Sequence, residues 1–422
     1  MLKYEYGGIM NYQFSNRISK IKVNPLRANA RKNMEHPDVI SFAYGFPPEA
    51  AFPSHKLAEI SQKLYDLDNH ETFLQYGPSE GHPEFLSVLG QRLSSVVNAY
   101  DSEADELMVV SGSTQGMDLT IKAFCNEGDV VICESQTFSG AVNSIRAYGA
   151  EPLAIPMKGE SIDLDLVEAA LVADVDKKIK LIYLIPTFQN PLGTSMPLED
   201  RKRVYELAKA YGVMIFEDDP YGDLLYVGEP IPKIKSFDKD GIVIYSGSFS
   251  KILAPSSRVG FLVIPKGAYE MILLGKQTSD SHTNQYWQLV AAKFMIDYDF
   301  EAHIDGLREL YKEKYLLMMD ELDKISPDLM TYIKPAGGYF LCGKLSSTVD
   351  IAQFYDYLIE HQVAIIPGNV MSVEQEGFDN YFRLNFTKPT LDEIRKGINI
   401  INEALQSANL STSVEALEKE VM

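Results

Sequence analysis

The residues best suited to chemistry lie in the segment SGSFSKILAPSSRVGF, which spans residues 246–261. Lys251 is the only amine of this segment, and Ser248 and Ser250 place hydroxyls just before it. Arg258 adds a guanidinium seven residues later. A lysine amine can form a Schiff base with an aldehyde, whereas hydroxyls and a guanidinium can hold a phosphate dianion. The apolar runs GIVIYSG and VGFLVIP flank the segment, so these groups lie between two predicted buried strands.

Other polar clusters also follow apolar runs. SGSTQG opens a helical pattern, and its Ser113 and Thr114 indicate an anion site, because helix N-termini carry free N–H groups. An ordinary Ser/Thr cap explains the same letters equally well. Three further strand ends present an aromatic ring, an amide, a carboxylate and a phenol: Phe138 in ESQTFSGA, Asn190 in PTFQNPLG, and Asp218 with Tyr221 in EDDPYGD. Taken alone, Phe138 is also typical of a core aromatic, Asn190 of a proline turn, and Asp218 of surface acids.

Together these groups match the needs of one cofactor, pyridoxal 5′-phosphate. An aromatic side chain can stack on its planar ring, and a buried carboxylate can pair with its protonated ring nitrogen. An amide and a phenol can hydrogen-bond its phenolic oxygen, and a lysine can bind its aldehyde. The sequence therefore predicts a site for pyridoxal phosphate.

The elements that must position these residues alternate between strand and helix patterns. Strands are predicted at 106–110, 129–133, 180–186, 213–219 and 241–247, with helices at 114–125 and 198–212. Such alternation predicts an α/β fold whose mostly parallel sheet is flanked by helices, with ligands bound beyond the C-terminal strand ends. From about residue 300 the pattern indicates a smaller α+β domain. The predicted division is an N-terminal segment joining the small domain (1–44), a large cofactor-binding domain (45–300) and a small C-terminal domain (301–422).

Composition narrows the classes of function. The net charge of −20 over 422 residues argues against a nucleic-acid partner, whose phosphates would be repelled. No apolar run is long enough to span a membrane, and the N-terminus lacks the apolar core of a signal peptide. Three cysteines without CxxC spacing fit a reducing compartment, so a cytoplasmic location is expected. The seven histidines show no ligand spacing, and no metal site is predicted.

The chain resembles the class I/II fold-type-I pyridoxal-phosphate-dependent aminotransferases, and within them most resembles the 2-aminoadipate/kynurenine aminotransferase branch. The resemblance spans about residues 24–405. Its motifs are NPLR, ISFAYGFPPEAAFP, LQYGPSEGHPEF, SGSTQG, PTFQNPLG, EDDPYGDL, SGSFSKILAPSSRVGF, PAGGYF and FRLNFT. It implies an aspartate aminotransferase-like large domain with a smaller α+β domain.

The resemblance also implies roles for individual residues. Lys251 becomes the Schiff-base lysine, Asp218 the partner of the pyridine nitrogen, and Tyr221 a partner of the phenolic oxygen. Asn190 shares that last role, and Phe138 takes the ring-stacking position, where the family often has tyrosine. The remaining cofactor-binding positions are Ser113, Thr114, Gln115, Ser248, Ser250 and Arg258, with Tyr76 reaching the phosphate from a neighbouring subunit. A homodimer is therefore expected.

On the substrate side, the resemblance assigns the α-carboxylate to Arg383, because a guanidinium suits that planar anion. Gly45 and Asn190 line the same side, and Arg27 approaches the substrate side chain. The letters FAYGFP depart from the paired glycines common in the branch, so Tyr44 is expected to reshape the side-chain pocket.

The function predicted from the resemblance is ping-pong transamination. An L-amino acid donor (aromatic, 2-aminoadipate or leucine-like) passes its amino group to a 2-oxo acid such as 2-oxoglutarate. One alternative is a C–S or β-eliminating lyase on the same fold. Another is a regulator built on an aminotransferase-like domain, but such proteins place a basic helix-turn-helix domain first. Only about 40 residues precede SFAYGF here, and the chain is acidic.

Overall fold

The computed structural model describes residues 12–23, 38–68 and 70–409. Its centre is a seven-stranded sheet in the order β1-β7-β6-β5-β4-β2-β3. The seven strands are β1 (Asp105–Val110), β2 (Val130–Glu134), β3 (Glu151–Ile155), β4 (Ile179–Leu184), β5 (Met214–Asp218), β6 (Val243–Ser248) and β7 (Gly260–Pro265). Only β7 runs antiparallel to its neighbours within this sheet, while β6, β5, β4, β2 and β3 pair in parallel. The predicted mostly parallel sheet is confirmed.

Helices flank the sheet on both sides, and further helices pack in the small domain. In chain order they are α1 (Asn16–Ser19), α2 (Ser54–Tyr65), α3 (Glu71–Leu74), α4 (Pro83–Arg92), α5 (Ser113–Phe124), α6 (Ser139–Ala147), α7 (Leu164–Ala173), α8 (Leu198–Tyr211), α9 (Lys266–Gln277), α10 (Gln285–Asp297), α11 (Phe300–Leu322), α12 (Ile351–Glu360) and α13 (Leu391–Ser407). Within the described ranges, no helix is long and apolar enough to cross a membrane.

The central strands are apolar at nearly every position because both faces of the sheet are covered. Successive residues of a strand point to opposite faces. Leu181 and Tyr183 of β4 accordingly join the core formed with α5, α6 and α9. Ile182 and Leu184 join the core formed with α7 and α8. The polar groups occur at the ends of these strands, where Asp218 and Ser248 are themselves buried.

The small domain contains a four-stranded antiparallel sheet in the order β8-β9-β11-β10. Its strands are β8 (Met330–Tyr332), β9 (Phe340–Leu345), β10 (Ile366–Pro367) and β11 (Tyr381–Asn385). A two-residue strand, Ile40–Ser41, pairs in parallel with Val363–Ala364. The chain just before the large domain is thus attached to the small one. The two-residue strands Met157–Lys158 and Ser161–Ile162 form a separate hairpin.

Candidate active site

Ten of the predicted site residues line one cavity of about 150 Å³ at the C-terminal ends of β4, β5 and β6. They are Ser113, Thr114, Phe138, Asn190, Asp218, Tyr221, Ser248, Ser250, Lys251 and Arg258. Ile185 and Pro220 complete the lining. The cavity lies where parallel α/β sheets bind ligands, beyond the carboxyl ends of the strands.

Asp218, the last residue of β5, forms the floor of the cavity and is 4% exposed. Its Oδ2 accepts a 2.8 Å hydrogen bond from the hydroxyl of Tyr183. Its Oδ1 is buried and has no hydrogen-bond partner. Burial disfavours the charged carboxylate and raises the pKa of Asp218 to about 7. A protonated ring nitrogen would satisfy the orphaned oxygen and supply the missing positive charge, so the site fits a pyridinium.

Lys251 follows β6 in a turn and projects its amine into the same cavity. Its Nζ donates a 2.7 Å hydrogen bond to the carbonyl oxygen of Gly45 and lies 5.4 Å from the ring centroid of Tyr339. The pKa of Lys251 is lowered to about 8, first by burial and then by the positive charges of Arg383 and Arg258. An amine with this pKa is partly neutral near neutral pH and is therefore suited to attack a carbonyl or accept a proton.

The opposite end of the cavity is built to hold an anion. Helix α5 begins at Ser113, after Gly112 with a φ of +79°, and points its N-terminus at the cavity. Ser248 and Ser250 lie with their hydroxyl oxygens 3.0 Å apart. Arg258 donates to the carbonyl oxygen of Ser111 at 3.0 Å and approaches Oγ of Ser250 at 3.5 Å. The dipole of α5, the hydroxyls of Ser248 and Ser250 and the guanidinium of Arg258 meet at this end of the cavity, as the binding of a phosphate requires.

Gln115 does not share this arrangement. Its Nε2 donates to Asp280 at 2.7 Å, and its Oε1 accepts from the backbone N–H of Ser111 at 2.7 Å and from Lys276 at 3.0 Å. Its backbone N–H is bonded to Gly112. The side chain of Gln115 thus supports the loop that holds Arg258, and its contact with the cofactor stays a prediction.

Arg383 reaches the same region from β11 of the small domain and is 3% exposed. It donates to Oδ1 of Asn190 at 2.8 Å and to the carbonyl oxygen of Ala43 at 2.9 Å, while its Nε is buried without a partner. Burial lowers the pKa of Arg383 to about 10. Its guanidinium lies 4.0 Å from the ring centroid of Phe340. Among the described residues no carboxylate forms a salt bridge with it, so the substrate carboxylate is a fitting counter-ion.

Three other predicted residues are not among those that line this cavity. Gly45 contacts Lys251 through its carbonyl oxygen, and the ring of Phe340 leaves no room there for a side chain. Tyr76 is 86% exposed and lies edge-on to His282, with ring centroids 5.9 Å apart, outside this chain's own cavity. That position agrees with a role in a neighbouring subunit's site. Arg27 lies outside the described residues.

No sequence motif marks several residues that support the site. Tyr183 is an ordinary strand residue in KLIYLIP, yet it holds Asp218. Tyr339 donates to the carbonyl oxygen of Lys251 at 3.2 Å, and Ala43 binds Arg383 through its backbone. The apolar run KLIYLIP predicted a strand, but the carboxylate partner of the Tyr183 hydroxyl lies on a different strand and only the register identifies it.

Comparisons with known proteins agree with this site. The family model for aminotransferase class I and II matches residues 37–401. The aromatic-amino-acid aminotransferase 1 of Thermococcus litoralis is 35% identical over 93% of this chain and 94% of that protein. The 2-aminoadipate transaminase of Thermus thermophilus is 29% identical over 93% of this chain and 96% of that protein. The kynurenine aminotransferase of Pyrococcus horikoshii, solved in complex with PMP, superposes with a TM-score of 0.87 at 33% identity, covering 93% and 97% of the two chains.

The chain belongs to the class I and II aminotransferases. It is an enzyme of the pyridoxal-phosphate-dependent group with the type I fold, and its reaction is transamination between amino acids and 2-oxo acids. These relatives do not favour the lyase or the regulator considered above.

Proposed function

We propose that this enzyme transfers the amino group of an aromatic L-amino acid to a 2-oxo acid such as 2-oxoglutarate, with the cavity at Lys251 and Asp218 as its active site. The observation that supports this site most directly is the orphaned Oδ1 of Asp218 on the floor of a cavity whose other residues include Lys251 and an anion site. Leucine-like and 2-aminoadipate donors remain secondary substrates in this proposal.

Bound pyridoxal phosphate supplies an electron-accepting ring that weakens the bond between Cα and its hydrogen. The protein residues then divide the remaining work. Lys251 binds the cofactor aldehyde in the resting enzyme, and its freed amine accepts the α-proton and returns it. Asp218 holds a proton at the ring nitrogen. Arg383 fixes the substrate carboxylate, which sets the orientation of the Cα–H bond.

The other residues hold the cofactor in place. Ser113, Thr114 and Arg258, with Ser248 and Ser250, anchor its phosphate. Tyr221 and Asn190 hydrogen-bond its phenolic oxygen, and Phe138 packs on its ring. Burial raises the pKa of Tyr221, so its hydroxyl stays protonated and can donate.

The preference for aromatic donors is supported by the segment 43–46. Ala43 and Gly45 bind Arg383 and Lys251 through their carbonyl oxygens, so Tyr44 lies between two residues of the substrate side. Its ring stacks on that of Phe46, with centroids 5.2 Å apart and an interplanar angle of 18°. Such a pair offers an aromatic surface to an aromatic side chain. The 35% identical relative is an aromatic-amino-acid aminotransferase.

The catalytic assignment is tested with Lys251→Ala. The variant should keep its phosphate contacts and bind the cofactor. Its transamination rate should fall by at least 10²–10⁴-fold, roughly what positioned acid–base catalysis contributes. The rate is measured with tyrosine and 2-oxoglutarate, with Lys266→Ala, a lysine at the start of α9, as the matched control. Near-normal turnover by Lys251→Ala would refute the assignment.

The donor preference is tested with Tyr44→Leu and a panel of donors. We expect kcat/KM for tyrosine and phenylalanine to fall about tenfold, since an aromatic pair is worth roughly 0.5–1.5 kcal/mol beyond area burial. The value for 2-aminoadipate should change much less. Equal losses for all donors would contradict an aromatic side-chain pocket at Tyr44 while leaving the Lys251 assignment intact.

A homodimer and a cytoplasmic location belong to the same proposal. Exposed apolar side chains also occur in the segment before Tyr76: Tyr65, Leu67 and Leu74 are 53%, 47% and 64% exposed. A second subunit would bury them. The three cysteines are free thiols, which supports a reducing compartment.

A further inference from the structure

A second cavity, of about 450 Å³, lies between the large and small domains and shares no lining residue with the first. Its large-domain wall includes Ser135, Gln136 and Thr194. Its small-domain wall includes Tyr332, Lys344 and Tyr381. A volume of this size accommodates a compound as large as an amino acid.

The large-domain wall presents polar groups that lack partners. Oγ of Ser135, Nε2 of Gln136 and Oγ1 of Thr194 are all buried without a hydrogen-bond partner. Gln136 and Thr194 are only 3% and 2% exposed. Buried polar side chains are nearly always hydrogen-bonded, so three unpartnered donors on one cavity wall indicate a ligand with acceptor oxygens.

The opposite wall supplies a cation and apolar surface. Lys344 is an exposed residue whose Nζ lies 5.3 Å from the ring centroid of Tyr381, and it forms none of the salt bridges found among the described residues. The described residues that line the cavity include no acidic side chain. The hydroxyl of Tyr332 is held by Asp323 at 2.6 Å, so its ring serves as a wall. Neutral donors, one ammonium and aromatic rings together suit a carboxylate with an apolar body.

We propose that this interdomain cavity is a second ligand site, which takes a small aryl or alkyl carboxylate of amino-acid size, and that its occupation is coupled to the active site. The inference goes beyond the proposed donor preference and does not rest on it.

The coupling has a physical route through one tight turn. The backbone N–H of Gln189 donates to the carbonyl oxygen of Thr194, and the backbone N–H groups of Leu192 and Gly193 donate back to Gln189. Asn190 of this turn faces the first cavity, whereas Thr194 faces the second. A ligand bound to Thr194 therefore acts on the element that positions Asn190.

A second route runs through the small sheet. Cys342 of β9 lines the second cavity and is the direct cross-strand partner of Arg383 in β11. Directly opposed residues in an antiparallel pair project to the same face of a sheet. Arg383, proposed to hold the substrate carboxylate, and Asn190, which accepts its hydrogen bond, thus both belong to elements that form the wall between the cavities.

The binding experiment uses 3-phenylpropionate, a carboxylate with an aromatic body that has no amino group to transfer. Calorimetric titration of the wild-type holoenzyme should give two sites per chain, the active site and the second site. The double variant Gln136→Met/Thr194→Val keeps side-chain size but removes two donors, and it should give one site. Thr348→Val makes the same change outside the cavity and should keep both. A single site in the wild type, or two in the double variant, would overturn the proposal.

Coupling is read from inhibition kinetics with the same probe. In the wild type, 3-phenylpropionate should reduce the rate even when donor and 2-oxo acid are both saturating, with an effect of about fivefold or more, as is usual for coupled sites. In Thr194→Val, which changes only one side chain, inhibition should become purely competitive with the donor. Purely competitive inhibition of the wild type would show that the second cavity does not act on the active site and would overturn the proposed coupling.

Discussion

At this site, burial shifts the pKa values of single residues more than specific partners do. Asp218 and Lys251 face one cavity, and desolvation is the largest cause of both shifts, raising the pKa of the acid and lowering that of the amine. Each group is therefore less charged in the cofactor-free protein than it would be in water. A bound pyridine that carries a phosphate offsets this loss of charge, because its ring nitrogen is positive at the Asp218 end and its phosphate is negative at the Arg258 end.

The lowered pKa of Lys251 can be measured in the cofactor-free enzyme. Its amine should react with acetic anhydride along a titration curve with a midpoint near pH 8, because burial and two arginines favour the neutral form. The exposed Lys202 on α8 is the internal control for reagent reactivity. Acetylation is followed by mass spectrometry of peptides.

The lowered pKa of Lys251 also determines how the free energy of unfolding changes with pH. Between about pH 8 and the ordinary lysine pKa, the unfolded chain binds more protons at this position than the folded protein. The contribution of Lys251 to the free energy of unfolding therefore rises with pH across that window. A labelling midpoint for Lys251 equal to that of Lys202 would contradict both statements.

At the scale of elements, the start of α5 depends on a glycine. Gly112 has a left-handed φ of +79°, and a methyl group there would lie 2.9 Å from Cζ of Arg258. Gly112→Ala should therefore displace Arg258 and weaken pyridoxal phosphate binding to the cofactor-free enzyme at least tenfold. Spectroscopic titration with the cofactor measures this affinity.

Gly128→Ala is the matched control. Gly128 has a φ of +83°, and a methyl group there would meet nothing within 4 Å. Both variants should lose about 1–2 kcal/mol of stability, since each puts a side chain in the left-handed region. Only Gly112→Ala should also lose cofactor affinity. If the two variants bind the cofactor equally well, the proposed link between Gly112 and the phosphate site is wrong.

Helices and strands were the features that the sequence predicted best. The helix predicted at 198–212 is observed as Leu198–Tyr211, with acids in its first turn and Gly212 at φ +71° as its C-cap. Apolar runs located β4, β5 and β6 within about two residues, because strands buried on both faces leave a strong signal. Pairing is not encoded locally, so the sequence did not show that β7 runs antiparallel. The hydrogen bond from Tyr183 to Asp218 was missed for the same reason.

At the scale of the whole molecule, the proposed dimer has a decisive test. Lys251→Ala and Tyr76→Ala chains should each be impaired as homodimers. In a mixed dimer, one of the two sites regains both Lys251 from one chain and Tyr76 from the other, because each subunit of a two-fold dimer contributes to its partner's site. Mixing the two variants under conditions of subunit exchange should therefore restore activity. If each variant keeps its own activity after mixing, Tyr76 does not act across an interface.

The antiparallel strand β7 has a consequence for the order in which the molecule is built. Among the strands of the described residues, β1 has β7 as its only neighbour in the central sheet, with Val110 paired to Gly260. A nascent chain that emerges from its N-terminus must therefore hold β1, and the α5 start that follows it, without a partner until residues 260–265 have been synthesised. Pairing between such distant segments is slow and leaves apolar edges open to aggregation. Lys251 and Arg258 immediately precede β7, so the strand that completes the sheet arrives together with the groups that hold the cofactor, and Arg383 arrives last.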